Sequence, residues 1–84
     1  MNIEYEKNKR LRSEFAQRLR RLREAREMSQ LDLAKLLRVT GGVISSWEVE
    51  RQFPSIANAI ELGKIFGCSL DYLFTGGEYD EREV

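Results

Sequence analysis

The side chains of this sequence that are best suited to chemistry are hydrogen-bond donors, not catalytic groups. Its 84 residues include no histidine and a single cysteine, Cys68. Without histidine no Ser-His or Cys-His pair can form, and a zinc site lacks its usual ligands. We therefore expect no enzyme, no metal and no cofactor. What remains between positions 30 and 51 is a set of amide, hydroxyl and guanidinium groups that suit binding: Gln30, Thr40, Ser45, Ser46 and Arg51.

Two short helices joined by a tight turn must position these groups. Ser29 and Asp32 form an S-x-x-D capping box at the start of the first helix, and Thr40 is an N-cap candidate for the second. In the second helix Ile44 and Trp47 recur three residues apart, so both can pack inward against the first. The residues left facing outward are Gly41, Gly42, Ser45, Ser46 and Val49.

Three further helices complete an all-α domain, and no stretch of the chain calls for a strand. Pro54 and Ser55 suit the start of one helix, and Ser69 suits the start of a short last one. The five expected helices cover residues 13–26, 30–37, 41–49, 56–66 and 70–75. The core candidates are apolar residues at helical spacing: Phe15, Leu19, Leu22, Leu33, Ala34, Leu37, Ile44 and Trp47, with Ile56, Ala59, Ile60 and Phe66 on the fourth helix.

The termini are more polar than this domain, which we place at residues 13–76. Residues 1–12 fit two interpretations, a charged arm or an early extension of the first helix, and both remain open. Residues 77–84 are acidic, and we expect a disordered tail there. No apolar run approaches the roughly 20 residues that span a membrane, and no signal peptide is evident. The lone Cys68 fits a reducing cytoplasm.

The net charge of zero conceals an uneven distribution. Residues 1–26 hold nine Lys or Arg against four Glu, a balance of +5, whereas residues 76–84 hold four acids against one Arg. A basic face of this kind favours a nucleic-acid partner more than the total charge suggests. The alternative is an ordinary solvated helix surface.

Residues 15–76 resemble the helix-turn-helix of the phage repressor and Cro family, also called the Xre-type family. The motifs that support the resemblance are Leu22-Arg23, Ser29-Gln30, Leu33-Ala34, Val39-Thr40, Ile44, Trp47-Glu48, Pro54-Ser55 and Ser69-Leu70-Asp71-Tyr72-Leu73. The resemblance implies a compact, five-helix, lambda-repressor-like domain. It also implies sequence-specific binding of double-stranded DNA by a bacterial or phage transcriptional regulator, a repressor that works as a homodimer on a palindromic operator.

The resemblance assigns roles to individual residues as well. The helix at about 41–49 would lie in the major groove, with Gln30 on a phosphate and Thr40 and Arg51 as further phosphate candidates. Family positions that read bases fall on Gly41, Gly42 and Ser46, with Ser45 adjacent. A partly buried ion pair would join Arg23 to Glu48, and the dimer surface would include Tyr72 and Phe74 of the last helix.

The expected base-reading residues depart from the family pattern. Gly41 and Gly42 have no side chain, and serine discriminates poorly among bases. Either the glycines let the backbone approach the groove while Ser45 and Ser46 touch base edges, or DNA shape supplies most of the specificity. Two further alternatives are an antitoxin that also binds a toxin, and a DNA-silent module that binds only proteins.

Departures occur outside that helix too. Glu27, Arg38 and Glu50 stand where the family often has glycine, and a positive φ there would cost about 1 kcal/mol each unless the helices run on. Leu31 and Leu36 stand where polar residues are usual, so they are either extra core or a small apolar patch for a partner.

Overall fold

Five α-helices and no strand make up residues 2–77, the part of the chain that the computed structural model describes. They are α1 (Ile3–Ala25), α2 (Gln30–Leu37), α3 (Gly41–Glu48), α4 (Ile56–Phe66) and α5 (Leu70–Thr75). The expected all-α, five-helix class is confirmed. None of these helices is long and apolar enough to cross a membrane. Apart from Gly77, the expected acidic tail lies outside the described residues.

The first helix begins ten residues earlier than its apolar stripe predicts. Asn2 is its N-cap: the side-chain Oδ1 accepts hydrogen bonds from the main-chain N–H groups of Glu4 and Tyr5, at 2.9 and 3.2 Å. Glu4 and Glu6 in the first turn are favourably placed at the positive end of the helix dipole. Of the two interpretations of residues 1–12, the structure therefore contains the helix extension.

Serine side chains begin three of the other helices, as the sequence indicates. Ser29 and Asp32 form the expected capping box, with 2.9 Å for each of its two hydrogen bonds. The main-chain N–H of Ser29 lowers the pKa of the Asp32 carboxyl. The hydroxyls of Ser55 and Ser69 cap α4 and α5 by accepting from the main-chain N–H groups of Asn58 and Tyr72. Thr40 occupies the N-cap position of α3 with extended backbone, but its hydroxyl makes no capping hydrogen bond.

Charged residues in the left-handed region of φ stand at the C-cap of α2 and one residue beyond the C-caps of α1 and α3. Glu27, Arg38 and Glu50 have φ of 55°, 60° and 66°. The helices therefore stop rather than run on, and each residue bears the strain of about 1 kcal/mol that glycine would avoid. The left-handed backbone at these residues turns the chain sharply after α1, α2 and α3, and these turns set the directions of α2, α3 and the loop that follows α3.

The core lies between the inward faces of the helices: α1 packs against α3 and α5, and α2 and α4 close it from the other side. On α4 the inward face is not the one that the sequence predicts. Ile56 and Ile60 are 74% and 42% exposed, so the expectation that they are core residues is wrong. The inward face of α4 holds Ala59, Leu62 and Phe66 instead. Because both faces of α4 have apolar residues at helical spacing, periodicity alone did not decide between them. Leu31 and Leu36 of α2 are also exposed, which excludes the extra-core interpretation.

Candidate nucleic-acid interface

Burial of two large side chains fixes the orientation of α3. Ile44 is fully buried and Trp47 is 2% exposed, and both belong to the main hydrophobic core. The opposite side of the helix is open to solvent. Gly42 and Val49 there are exposed, and Gly41, Ser45 and Ser46 are half-buried. The candidate base-reading residues therefore lie on the surface of the domain.

The hydroxyl of Ser46 in α3 already has hydrogen-bond partners within the domain. The Ser46 hydroxyl lies 2.7 Å from the carbonyl oxygen of Val43 and 3.4 Å from Oε1 of Gln52, so its proton donates within the domain. Its lone pairs remain available as acceptors. The carbonyl of Ser46 also accepts from the main-chain N–H of Arg51 at 2.9 Å, which folds the following loop onto the end of α3.

The fold does not require glycine at the start of α3. A Cβ on Gly41 would meet nothing within 4 Å, and a Cβ on Gly42 would lie 3.7 Å from Oγ1 of Thr40, an ordinary contact. Neither residue has a positive φ. Gly63 in α4 is different, because its Cβ would come within 2.9 Å of the carbonyl oxygen of Cys68.

A buried ion pair joins α1 to the end of α3. Arg23 Nε lies 2.7 Å from Oε2 of Glu48, and Arg23 Nη2 lies 2.9 Å from Oε1. A third donor of the guanidinium, Nη1, bonds the carbonyl of Met28 at 2.7 Å. This bidentate geometry is the pair that the family resemblance implies. It ties α3 to α1 through groups that bulk water does not reach.

The ion pair shifts the pKa of both partners. Burial by itself raises the pKa of the Glu48 carboxyl, but hydrogen bonds from Arg23 and Gln30 and the charges of Arg23 and Arg20 together leave that pKa below its ordinary value. The hydrogen bond to Glu48 raises the pKa of Arg23 despite its burial. Both groups are therefore charged in the folded domain at neutral pH.

Gln30 reaches the same carboxylate from α2. Its Nε2 donates to Oε1 of Glu48 at 3.1 Å, and the residue is half-buried at the first position of the helix. The sequence analysis predicts a surface role for Gln30 and does not predict this partner within the domain. The remaining phosphate candidates, Thr40 and Arg51, are both exposed.

Several of the arginines that the charge count assigned to a basic face also have hydrogen-bond partners within the domain. Four of them in α1, and Arg26 at its C-cap, donate to main-chain carbonyls in the last turns of helices or in the loops beside them, where carbonyls lack partners within a helix. Arg12 bonds Glu50 at 3.1 Å, Arg18 bonds Leu73 at 3.1 Å and Arg20 reaches Glu48 at 3.5 Å. Arg26 bonds Ile65 and Phe66, and Arg23 bonds Met28.

Aromatic contacts missed by the sequence reasoning hold the loop that contains Arg51. Phe53 lies edge-on to Phe74 with ring centroids 6.2 Å apart, and the Arg12 guanidinium lies 5.7 Å from the Phe53 ring. The Phe74 ring stacks on Phe15 at 4.8 Å. No periodic pattern marks a loop residue such as Phe53, which is why the sequence did not reveal it.

The residues expected at a dimer surface are partly used inside the domain. Phe74 packs on Phe15 of α1, and Tyr72 is half-buried with the Arg18 guanidinium 5.7 Å from its ring. Both side chains therefore have contacts within their own chain.

Comparisons with known proteins agree with this geometry. Residues 19–73 match the model of a family described as helix-turn-helix. Over 65 residues the chain is 32% identical to the HTH-type transcriptional activator BcrR of Enterococcus faecalis, covering 77% of this chain and 32% of that protein. The chain therefore spans about a third of the length of this relative. The fold is similar to the P22 c2 repressor protein, solved in complex with synthetic operator 9T in the presence of Tl⁺. The TM-score is 0.71 and the identity 33%, over 75% of this chain and 96% of the repressor chain.

Proposed function

The chain belongs to the helix-turn-helix family, and from that premise we propose that it is a transcriptional regulator that binds double-stranded DNA sequence-specifically. The observation that supports this most directly is the orientation of α3. Its inner face is filled by Ile44 and Trp47, and its outer face is open to solvent. A helix held in this way can enter the major groove, which is wide enough to admit one. Repression follows if the domain blocks its site by occupying it.

Three polar residues around α3 are proposed to contact phosphates. Gln30 lies at the start of α2, where main-chain N–H groups and the helix dipole also favour an anion. Thr40 is exposed and its hydroxyl is not used for capping. Arg51 is exposed in the loop that Phe53 holds against the core. Such contacts position the protein on the duplex without reading its sequence.

Base readout is proposed to combine close approach with a few hydroxyl contacts. Gly41 and Gly42 leave space that no part of the fold fills, so a base edge or sugar can come close to the backbone of α3. Ser45 and Ser46 lie beside this space, and Ser46 acts there as an acceptor since its proton is committed. Serine contacts discriminate weakly, so DNA shape supplies a large share of the specificity.

We further propose that two copies bind a palindromic operator, with half-sites about 34 Å apart. Tyr72 and Phe74 have contacts within their own chain, whereas Leu70 at the start of α5 and Ile56 and Ile60 of α4 remain exposed. These three apolar side chains are the proposed centre of the dimer surface. Sedimentation of Ile60→Lys beside the unsubstituted chain tests the assignment, and an unchanged dimer would reject it.

Selection of bound duplexes from a random library, followed by gel shifts at low salt, tests the proposed function. A recurring, two-fold symmetric sequence is the expected outcome. Gln30→Ala should then weaken binding to all duplexes about equally, while Ser46→Ala should change the preference among them. Failure of the unsubstituted chain to shift any duplex at low salt would reject DNA binding.

A further inference from the structure

The side chains of Gln30 and Glu48 meet although they lie on different helices and 18 positions apart. Nε2 of Gln30 donates to Oε1 of Glu48 at 3.1 Å, and the carboxylate that accepts is itself shielded from solvent. A surface glutamine is normally free to rotate and to exchange its donor and acceptor ends. Here the partner is a carboxylate that Arg23 already holds by both oxygens, so the contact restricts the glutamine side chain more than it restricts the carboxylate.

The carboxylate dictates which end of the Gln30 amide faces it. A glutamine amide has a carbonyl oxygen that accepts and an NH₂ group with two donors. Turning the amide over would place its oxygen against a carboxylate oxygen, and two acceptors repel. One N–H of Gln30 is therefore directed to Glu48, and no hydrogen bond among the described residues uses the second N–H, which is available to a ligand.

The carboxylate is in turn fixed and neutralised by arginines. Arg23 binds both of its oxygens, at 2.7 and 2.9 Å, and is anchored to the carbonyl of Met28. Arg20 adds a second positive charge 3.5 Å from Oε1. The group formed by Arg20, Arg23 and Glu48 thus has a net charge of +1, so the acidic residue does not repel an approaching anion.

We propose that Glu48 is a positioning residue for DNA binding, which acts through Gln30. It holds the glutamine amide as an outward donor to a backbone phosphate, while the arginines cancel its charge. The inference rests on the proposed function, because it assigns a role within that interface. It adds a second role to a residue that otherwise only stabilises the junction of α1 and α3.

A double-mutant cycle on DNA affinity separates this role from a purely structural one. The variants are Glu48→Gln, Gln30→Ala and the two combined, measured at a temperature where circular dichroism shows all of them folded. Since a phosphate contact is independent of sequence, a random-sequence duplex at low salt serves as the probe. Glu24→Gln, an exposed acid of α1, is the matched control for loss of one negative charge.

The expected result is that Glu48→Gln weakens binding about tenfold when Gln30 is present and by less than about twofold in the Gln30→Ala background. Equal losses in both backgrounds would show that Glu48 does not act through Gln30, and would overturn the inference while DNA binding stands. An unsubstituted chain that binds no duplex would overturn the proposed function and this inference together.

A measurement on the unsubstituted chain covers the case in which Glu48→Gln does not fold. Side-chain amide relaxation by NMR should show the NH₂ of Gln30 markedly more ordered than that of Gln17, which is exposed on α1 and bonds only Ser13. On addition of duplex, one of the two Gln30 amide protons should shift and the other should not. Equal mobility of the two glutamines would overturn the inference.

Discussion

The first helix and the third differ in opposite ways from what their sequences suggest. α1 is strongly basic, yet four of its arginines, and Arg26 at its C-cap, bond main-chain carbonyls of other helices and loops. α3 has a single charged residue, Glu48, and that residue is buried, yet its outer face is the open surface of the helix-turn-helix unit. In this domain the charged residues of α1 therefore hold other parts of the fold in place, whereas the candidate interface consists of small uncharged residues.

The largest effect is expected where the two helices meet. Glu48→Ala leaves the Arg23 guanidinium buried without its partner, which should lower the free energy of unfolding by about 3 kcal/mol. Denaturation by urea measures it. The control is Glu61→Ala, which removes an exposed pair with Lys64 at 3.8 Å and should cost less than about 0.5 kcal/mol. Equal stability of the Glu48→Ala variant and the unsubstituted chain would mean that the buried pair makes no net contribution to stability.

Arg18→Ala tests whether the arginines of α1 serve mainly to hold other helices in place. This change removes the donor to the Leu73 carbonyl at the end of α5 and should lower stability by about 1 kcal/mol. Affinity for DNA, measured on folded protein, should stay within about twofold. Arg21→Ala is the matched control, since the exposed Arg21 side chain makes no hydrogen bond or ion pair among the described residues. A large loss of affinity with Arg18→Ala would mean that α1 itself contacts DNA.

The small residues of α3 are tested by Gly42→Ala, for which stability and binding should move in opposite directions. The added methyl group has room, and alanine favours helix, so unfolding should become harder by about 0.5 to 1 kcal/mol. Affinity for the selected duplex should fall, because the methyl group occupies the space reserved for close approach. Thermal melts and gel shifts measure the two effects.

Gly63→Ala is the contrasting variant for this test, since its Cβ would crowd the Cys68 carbonyl and should destabilise the domain. Unchanged affinity in Gly42→Ala would reject close approach at this position.

Because α3 has no basic residue, we expect the positive charge for a phosphate contact to come from Arg51 in the loop after it. Arg51→Gln should reduce the slope of log affinity against log salt concentration by about 1 per bound chain, because one phosphate contact loses its cation. The same change at Arg21 should leave the slope unaltered. If instead Arg21→Gln lowers the slope, the basic surface of α1 takes part in binding after all.

The smallest expected effect is on stability in acid. Because folding lowers the pKa of Glu48, its contribution is complete above the ordinary pKa of a glutamate, about 4.3, and is lost as the pH falls through the lower folded value. Unfolding free energies measured from pH 6 down to pH 3 should therefore decline more steeply for the unsubstituted chain than for Glu48→Gln. Parallel curves would mean that Glu48 titrates alike in both states.

Helix ends were the most predictable part of this fold, because capping side chains leave a local pattern. Ser29, Ser55 and Ser69 each begin a helix as expected. Asn2, followed by two acids in the first turn, is the same kind of pattern and could have located the start of α1. The inward face of α4 could not be found this way, since Leu62 and Ile60 are equally apolar and only the packing against other helices separates them.

The sequence was enough to predict which residues face outward at the candidate site, but not the side-chain contacts that hold them. The spacing of Ile44 and Trp47 was enough to predict which face of α3 points out. The contact between Gln30 and Glu48 and the support of the Arg51 loop by Phe53 join residues far apart in sequence. No local pattern encodes such contacts, because they depend on the angles at which the helices cross.

Because α1 supplies hydrogen-bond donors to the ends of neighbouring helices, it also affects how the domain unfolds. Its arginines hold the last turns of α4 and α5 and the exit of α3. When α1 and Arg26 at its C-cap detach, those turns lose their hydrogen-bond donors together, so we expect their opening to be coupled. Hydrogen exchange at these three ends should then report a single cooperative opening.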